Sequence, residues 1–266
     1  MIVRRYGRSG RSVVVLHGGP GAPGSAAALA RALADPLHVL EPWQRWSSGV
    51  PLTVDRHVDD LADVIARDIP GEKPALVGVS WGAMLALVFT SHHPDQVSAL
   101  ALVGCGTFDR QARAQLHDTL ALRTRPELKA QLADLQSRFP NEEERLAEAH
   151  RLTDSLYTYC RAADAEDPVE PFDPKGQVET WEDMVRLQES GVYPARFVSI
   201  QCPVLMLHGA YDPHPGAMIR YSLKPYIRNL EYREFERCGH SPWIEAHARD
   251  RFLAELRSWL EQHIHP

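Results

Sequence analysis

Between residues 13 and 103, short β-branched runs alternate with helical patterns, and this alternation constrains the fold more than any other feature of the chain. Residues 13–16 (Val-Val-Val-Leu), 37–41, 74–79 and 97–103 read as strands. Between them lie an Ala-rich helix over 25–34, an amphipathic helix over 53–69 and a strongly apolar helix over 81–92. The middle helix carries Val54, Val58, Leu61, Val64 and Ile65 at the spacing of one buried stripe, with Thr53 as N-cap and Pro70-Gly71 as its stop. Strand and helix alternating at this spacing mean βαβ units, hence a parallel sheet covered by helices on both faces. The continuous apolar runs fit strands buried on both sides.

After Gly106 the texture changes. Residues 107–195 are polar and helical, with candidate helices at 109–122, 127–139, 142–163 and 177–188 and a Pro-rich stretch at 167–174. Strands return at 203–207 and 230–235, and an amphipathic helix over 246–261 closes the chain. The expected organisation is an α/β core formed by 1–106 and 196–266, interrupted by an all-helical insertion, 107–195.

The insertion carries 18 acidic and 11 basic residues, net −7, against −6 for the whole 266-residue chain. Solvated helix faces are the plain reading of that charge. The sharper one is an acidic lid over a site that prefers a cationic substrate group. The balance excludes electrostatically driven nucleic-acid binding. A hydrophobic content of 44% excludes disorder. No apolar run approaches the roughly 20 residues that span a bilayer, and the run after the basic N-terminus is shorter than a signal-peptide core. Cys105, Cys160, Cys202 and Cys238 are scattered, which reads as free, mostly buried thiols in a reducing compartment. A cytoplasmic protein with a small-molecule substrate, and no membrane or nucleic-acid partner, is the expectation.

The chemistry concentrates at strand ends. Gly78-Val79-Ser80-Trp81-Gly82 joins an apolar strand to an apolar helix. A nucleophilic serine needs such a turn, because it must stand clear of the sheet while the flanking glycines let strand and helix approach. His17-Gly18-Gly19-Pro20-Gly21 follows the first apolar strand and builds a stiff loop. The backbone N–H groups of Gly19 and Trp81 are the candidate oxyanion donors. Asp212 and His240 each follow a later strand, so nucleophile, acid and base fall in the order Ser80, Asp212, His240 along the C-terminal sheet edge. Of the other histidines, His208 reads as structural, His214 as too near Asp212 to be oriented by it, and His92, His93, His263 and His265 as surface residues. Asp109 is the fallback acid. No cluster has metal-ligand spacing along the chain, so neither a metal nor another cofactor is expected.

These motifs, HGGPG, GVSWG, HGAYD and CGH in this order, resemble the α/β-hydrolase superfamily. HGGPG with a Trp after the nucleophile is most similar to its proline iminopeptidase branch. The resemblance covers 1–106 and 196–266. It implies an α/β-hydrolase fold with a helical cap, a Ser80–Asp212–His240 triad and an oxyanion hole from Gly19 and Trp81. Val79 stands where that branch usually has glycine, and its caps are generally longer. Those caps use glutamates to hold a substrate's free amine. Trp181-Glu182 resembles a Trp-Glu pair there, and Glu166, Glu170 and Glu179 are equally open as amine partners.

The residues therefore point to a serine hydrolase working through an acyl-enzyme. An aminopeptidase needs carboxylates beside the acyl pocket. A carboxylesterase or C–C bond hydrolase needs mainly an apolar one, which Tyr157, Tyr159, Trp181, Met184 and Leu187 supply unless they form the insertion's own core. A non-catalytic small-ligand-binding protein on the same scaffold is the reading from another class.

Overall fold

The computed structural model describes residues 1–165 and 172–264. Seven strands form one sheet: β1 (Val3–Tyr6), β2 (Ser12–Leu16), β3 (His38–Pro42), β4 (Ala75–Val79), β5 (Ala99–Val103), β6 (Val204–Gly209) and β7 (Leu230–Phe235). Their order is β1-β3-β2-β4-β5-β6-β7. Every pairing is parallel except β1 on β3. This is an α/β-hydrolase fold.

Strand parity divides the core. Val13, Val15, Val77, Ala101, Val103, Leu205 and Leu207 point to one face, where α1 (Ala27–Leu33) and α9 (Arg249–His263) pack. Val14, Leu16, Leu76, Leu100, Leu102 and Met206 point to the other. That face is covered by α2 (Val54–Asp68), α3 (Trp81–His92) and α8 (Gly216–Leu223). The middle strands are apolar at successive positions because both faces are buried. The stripe expected on α2 is buried, and Thr53 Oγ1 accepts the Arg56 N–H at 3.2 Å as its cap.

Between β5 and β6 lie α4 (Arg110–Arg123), α5 (Pro126–Arg138), α6 (Glu142–Tyr157) and α7 (Pro174–Glu189). Asp109, the fallback acid, caps α4 by accepting the Ala112 N–H at 2.7 Å. The helix expected over 142–163 stops at Tyr157. Beyond it Thr158 is extended and the chain bends, with the carboxylate of Glu245 accepting the N–H groups of Tyr159 and Cys160, both at 2.8 Å. A tertiary partner thus overrides local helical propensity. The closing helix begins at Arg249, three residues later than its sequence pattern. Glu166 and Glu170, and most of the Pro-rich stretch, lie outside the described residues. Among the described residues no helix is long and apolar enough to cross a membrane, and all four cysteines are free, with Cys160 exposed.

Helix α3 sits hard against the ends of β2 and β4. A Cβ on Gly82 would fall on the carbonyl oxygens of Leu16 and His17, and one on Gly78 would fall on Gly82 and Ala83. We expect Gly82→Ala to lower stability by about 3 kcal/mol, the upper end of overpacking costs, read as a fall in melting temperature by circular dichroism.

Candidate active site

Ser80 follows β4 directly and is the first residue of the turn into α3. Its φ is 54° and ψ −116°, a positive φ that a side chain adopts only under constraint. The constraint is visible. Its N–H donates to Val103 O of β5 at 2.8 Å, and the glycine contacts described above leave the helix no room to retreat. The side chain of Ser80 is therefore presented above the sheet edge. A Cβ built on Gly18 would lie 3.3 Å from Ser80 Cβ, so the glycine loop passes directly beside it.

A buried network fixes that loop. His17 Nδ1 donates to Gly18 O at 2.8 Å, and His17 Nε2 accepts the Gln44 N–H at 2.9 Å. Gln44 Nε2 donates to His17 O at 3.0 Å, and Gln44 Oε1 accepts the Trp81 indole N–H at 2.7 Å. This arrangement needs a neutral imidazole, and burial pushes the His17 pKa down to about 4. Holding Gly18 O has a geometric consequence. In a trans peptide the N–H points opposite to the C=O, so the Gly19 N–H is aimed away from His17. Neither the Gly19 nor the Trp81 backbone N–H donates to a protein acceptor among the described residues.

Asp212 and His240 sit on the turns after β6 and β7. The two turns are tied by Tyr211 N–H donating to Cys238 O at 2.8 Å. His240 Nδ1 donates to Asp212 Oδ2 at 2.7 Å. A Cβ on Gly104, which follows Val103, would lie 3.0 Å from His240 Nδ1. The imidazole therefore rests over the residue adjoining the one that anchors Ser80. Among the described residues no hydrogen bond joins Ser80 Oγ to His240.

Two further histidines reach the same carboxylate. His214 was expected to lie too near Asp212 to be oriented by it. Instead the turn folds back, so that its N–H and its Nδ1 both meet Asp212 Oδ1, at 2.9 and 3.0 Å. His208, expected to be structural, places Nε2 at 3.2 Å from Asp212 Oδ2 and donates to His214 O at 2.9 Å. Burial alone would raise the Asp212 pKa, but the three histidines, His240 foremost, hold it well below the usual carboxylate range. Burial lowers the His208 pKa, and Asp212 overcomes this to leave it raised. For His214 burial prevails and the pKa stays low. The His214 ring stacks on that of His240, centroids 4.7 Å apart and planes at 21°.

Tyr157 closes this side. Its ring stands edge-on to His240 at 5.8 Å, and its carbonyl accepts the His240 N–H at 2.8 Å. Glu245, fully buried, accepts the N–H groups of Gly239 at 2.7 Å and of Tyr159 and Cys160 at 2.8 Å. One carboxylate thereby joins the end of α6 to the turn bearing His240.

The other insertion residues are placed differently. Trp181 is half-buried on α7, with the guanidinium of Arg113 5.9 Å from its ring. Glu182 is exposed and is not brought to His240 or Ser80. Met184 and Leu187 pack into the core beside α3, and Tyr159 faces Tyr211 and His247. Glu179 is spent on the loop before α2, accepting from Ser47 Oγ and Leu52 N, both at 2.9 Å. Asp173 and Asp183 take Ser47 N and Val54 N in the same way, at 2.7 and 2.9 Å. Much of the acidity of α7 is structural: it terminates orphan N–H groups of the core. His92 bonds Tyr193 Oη at 2.9 Å and His263 bonds Trp259 O at 2.8 Å, so neither is a free surface residue; His265 lies outside the described residues.

Sequence reasoning did not mark Gln44, Gly104, His214 or Glu245. Each acts through a contact distant in the chain or through a turn geometry that no local pattern announces. We expect Glu245→Ala, which strips the buried Gly239 N–H and two part-buried N–H groups of their acceptor, to cost about 2 kcal/mol or more, measured by thermal or urea denaturation.

Residues 11–246 match the family described as alpha/beta hydrolase fold. A proline iminopeptidase of Lactobacillus helveticus is 23% identical over 279 residues, covering 94% of this chain and 90% of that protein. A thermophilic esterase from Thermogutta terrifontis superposes with a TM-score of 0.66 at 20% identity, over 99% of this chain and 94% of that one. The proline iminopeptidase of Mycobacterium smegmatis gives 0.64 at 21% identity, over 98% and 94%.

Proposed function

The chain belongs to the alpha/beta hydrolase family, and on that premise we propose that it is a serine hydrolase acting on small acyl esters or amides through a Ser80–His240–Asp212 triad. The observation that carries this reading is the 2.7 Å Asp212–His240 pair set over the strand end that anchors the strained Ser80 turn. Ser80 Oγ attacks the acyl carbon while His240 Nε2 takes its proton. Asp212 accepts the Nδ1–H, which fixes the tautomer and stabilises the imidazolium. The carbonyl oxygen, now negative, is held by the N–H groups of Gly19 and Trp81. The bond to the leaving group breaks as His240 returns the proton to it. Water, activated by the same imidazole, then hydrolyses the acyl-enzyme.

The network behind the oxyanion donors gives a test of their role. Gln44→Ala releases both the Trp81 indole and His17, and with them the Gly18 carbonyl. We expect kcat to fall at least tenfold, toward the about 100-fold cost of losing an oxyanion donor, with KM nearly unchanged. A matching rise in KM would place Gln44 in substrate binding instead.

Two acyl classes are separated by one comparison. Cleavage of a short-chain acyl aryl ester is set against that of a prolyl or alanyl arylamide, with Ser80→Ala as the blank. Ester cleavage is favoured by the state of α7, whose Asp173, Glu179 and Asp183 are all engaged by backbone groups. An aminopeptidase is favoured by the relatives, which are proline iminopeptidases. A Ser80-dependent arylamide rate that requires the free amine establishes the aminopeptidase. Ser80-dependent ester cleavage alone establishes an esterase. Activity that survives Ser80→Ala removes the triad reading altogether, and a protein inert toward both substrates supports the ligand-binding alternative.

A further inference from the structure

Asp212 meets two donors on each of its oxygens. Oδ2 accepts the His240 Nδ1–H at 2.7 Å and faces His208 Nε2 at 3.2 Å. Oδ1 accepts the backbone N–H of His214 at 2.9 Å and its Nδ1–H at 3.0 Å. The carbonyl of His214 in turn accepts from His208 Nε2 at 2.9 Å. His214 thus commits its N–H, its C=O and a ring nitrogen to the surroundings of one carboxylate. The same ring stacks on His240, centroids 4.7 Å apart and planes at 21°. The mechanism above gives His214 no part, although it touches both acid and base. Two donors on Oδ1 fix the rotation of the carboxylate and so aim Oδ2 at His240. They also draw charge toward Oδ1, so Oδ2 favours an imidazolium less strongly than a carboxylate without them would. Burial keeps the His214 ring neutral against the pull of Asp212, so it adds no second positive charge beside the base.

We propose that His214 is a positioning residue of the triad: its two N–H groups hold Asp212 so that Oδ2 meets His240, and its ring backs the His240 imidazole. The contacts stand on geometry, and their part in turnover rests on the serine hydrolase reading. Around the pair, Tyr157 faces both rings, His208 lies against Oδ2 with Glu234 beside it, Arg123 donates to Tyr211 O, and Glu245 holds the turn before His240. Cys105, Cys238 and Tyr232 also feel Asp212, and burial pushes all three up, so they stay protonated where histidines titrate. Every one of these groups is common to the variants that test His214.

Histidine-ring NMR of ¹⁵N-labelled protein reads these contacts with no substrate. In the wild-type protein the His214 ring should keep its Nδ1–H tautomer while His240 takes up its proton. An Nε2–H tautomer at His214, or a His214 that protonates before His240, overturns the proposal. His214→Phe keeps a stacked ring and loses the donor, so the His240 midpoint should rise by about half a pH unit or more. An unmoved or lowered midpoint overturns the proposal. His214→Asn places an amide N–H where Nδ1–H stood and should bring the midpoint most of the way back. A midpoint in His214→Asn equal to that of His214→Phe overturns the donor as the cause. In the ester or arylamide assay the acid limb of kcat/KM should move up with the midpoint, a fall of about threefold in rate on that limb. A lowered plateau with an unmoved limb marks a merely structural residue and overturns the proposal. NMR midpoints that move as expected in a protein with no Ser80-dependent rate support the positioning contact and remove the hydrolase reading instead.

Discussion

A carboxylate sealed from water sets the terms for this end of the molecule. Asp212 is buried at the end of β6 and receives one backbone N–H and three imidazoles. A buried charge survives only when it is fully paired, and each partner fixes a different piece of chain. His240 brings in the turn after β7, His214 folds the chain back before α8, and His208 locks the last turn of β6. Tyr157 and Glu245 then add the end of α6 to the same assembly. The geometry of the acid–base pair is therefore a property of four segments together.

Legibility in the sequence followed burial. Strands β2, β4, β5 and β6 stand out because both faces are covered, so nearly every position is apolar, Ser12 and His208 excepted. Strand β1, Val-Arg-Arg-Tyr, lies at the sheet edge with one neighbour, and its charged residues hide it from any strand pattern. Helix α8 is eight residues long and follows a run of His and Pro, too short to display a period. The residues at 78–82 could be read from sequence because their requirement is local: a turn with no room for side chains beside the serine. Gln44 and Glu245 could not, since all their partners but Gly239 lie 27 to 86 residues away. His214 was hidden for the opposite reason. Two residues from Asp212, it looks too close to be useful until the backbone reverses.

The acidic character of 107–195 also changes meaning in three dimensions. A net −7 read along the chain invites an electrostatic account of the substrate. In space, Glu179 and Asp183 of α7 and its N-cap Asp173 meet N–H groups of residues 47–54, in and just before the start of α2. Asp183 acts as a cap supplied from another part of the chain, taking a donor that the start of α2 leaves open, and the other two take N–H groups of the loop before it. Charge on an inserted segment is thus as much a fastening device as a field.

Those fastenings also divide the inserted helices into a bound part and a free part. Helix α7 is stitched to the core by the carboxylates of Asp173, Glu179 and Asp183, and the C-terminal end of α6 is held through Ser155, Leu156 and Tyr157. Among the described side chains, hydrogen bonds from α5 and the first half of α6 stay within those helices and the turn between them. Swinging all four helices away together would expose several satisfied charges. The polar fastening of these helices to the core is thus concentrated at α7 and at the C-terminal end of α6, and the ladder of α6 alone carries it to the rest.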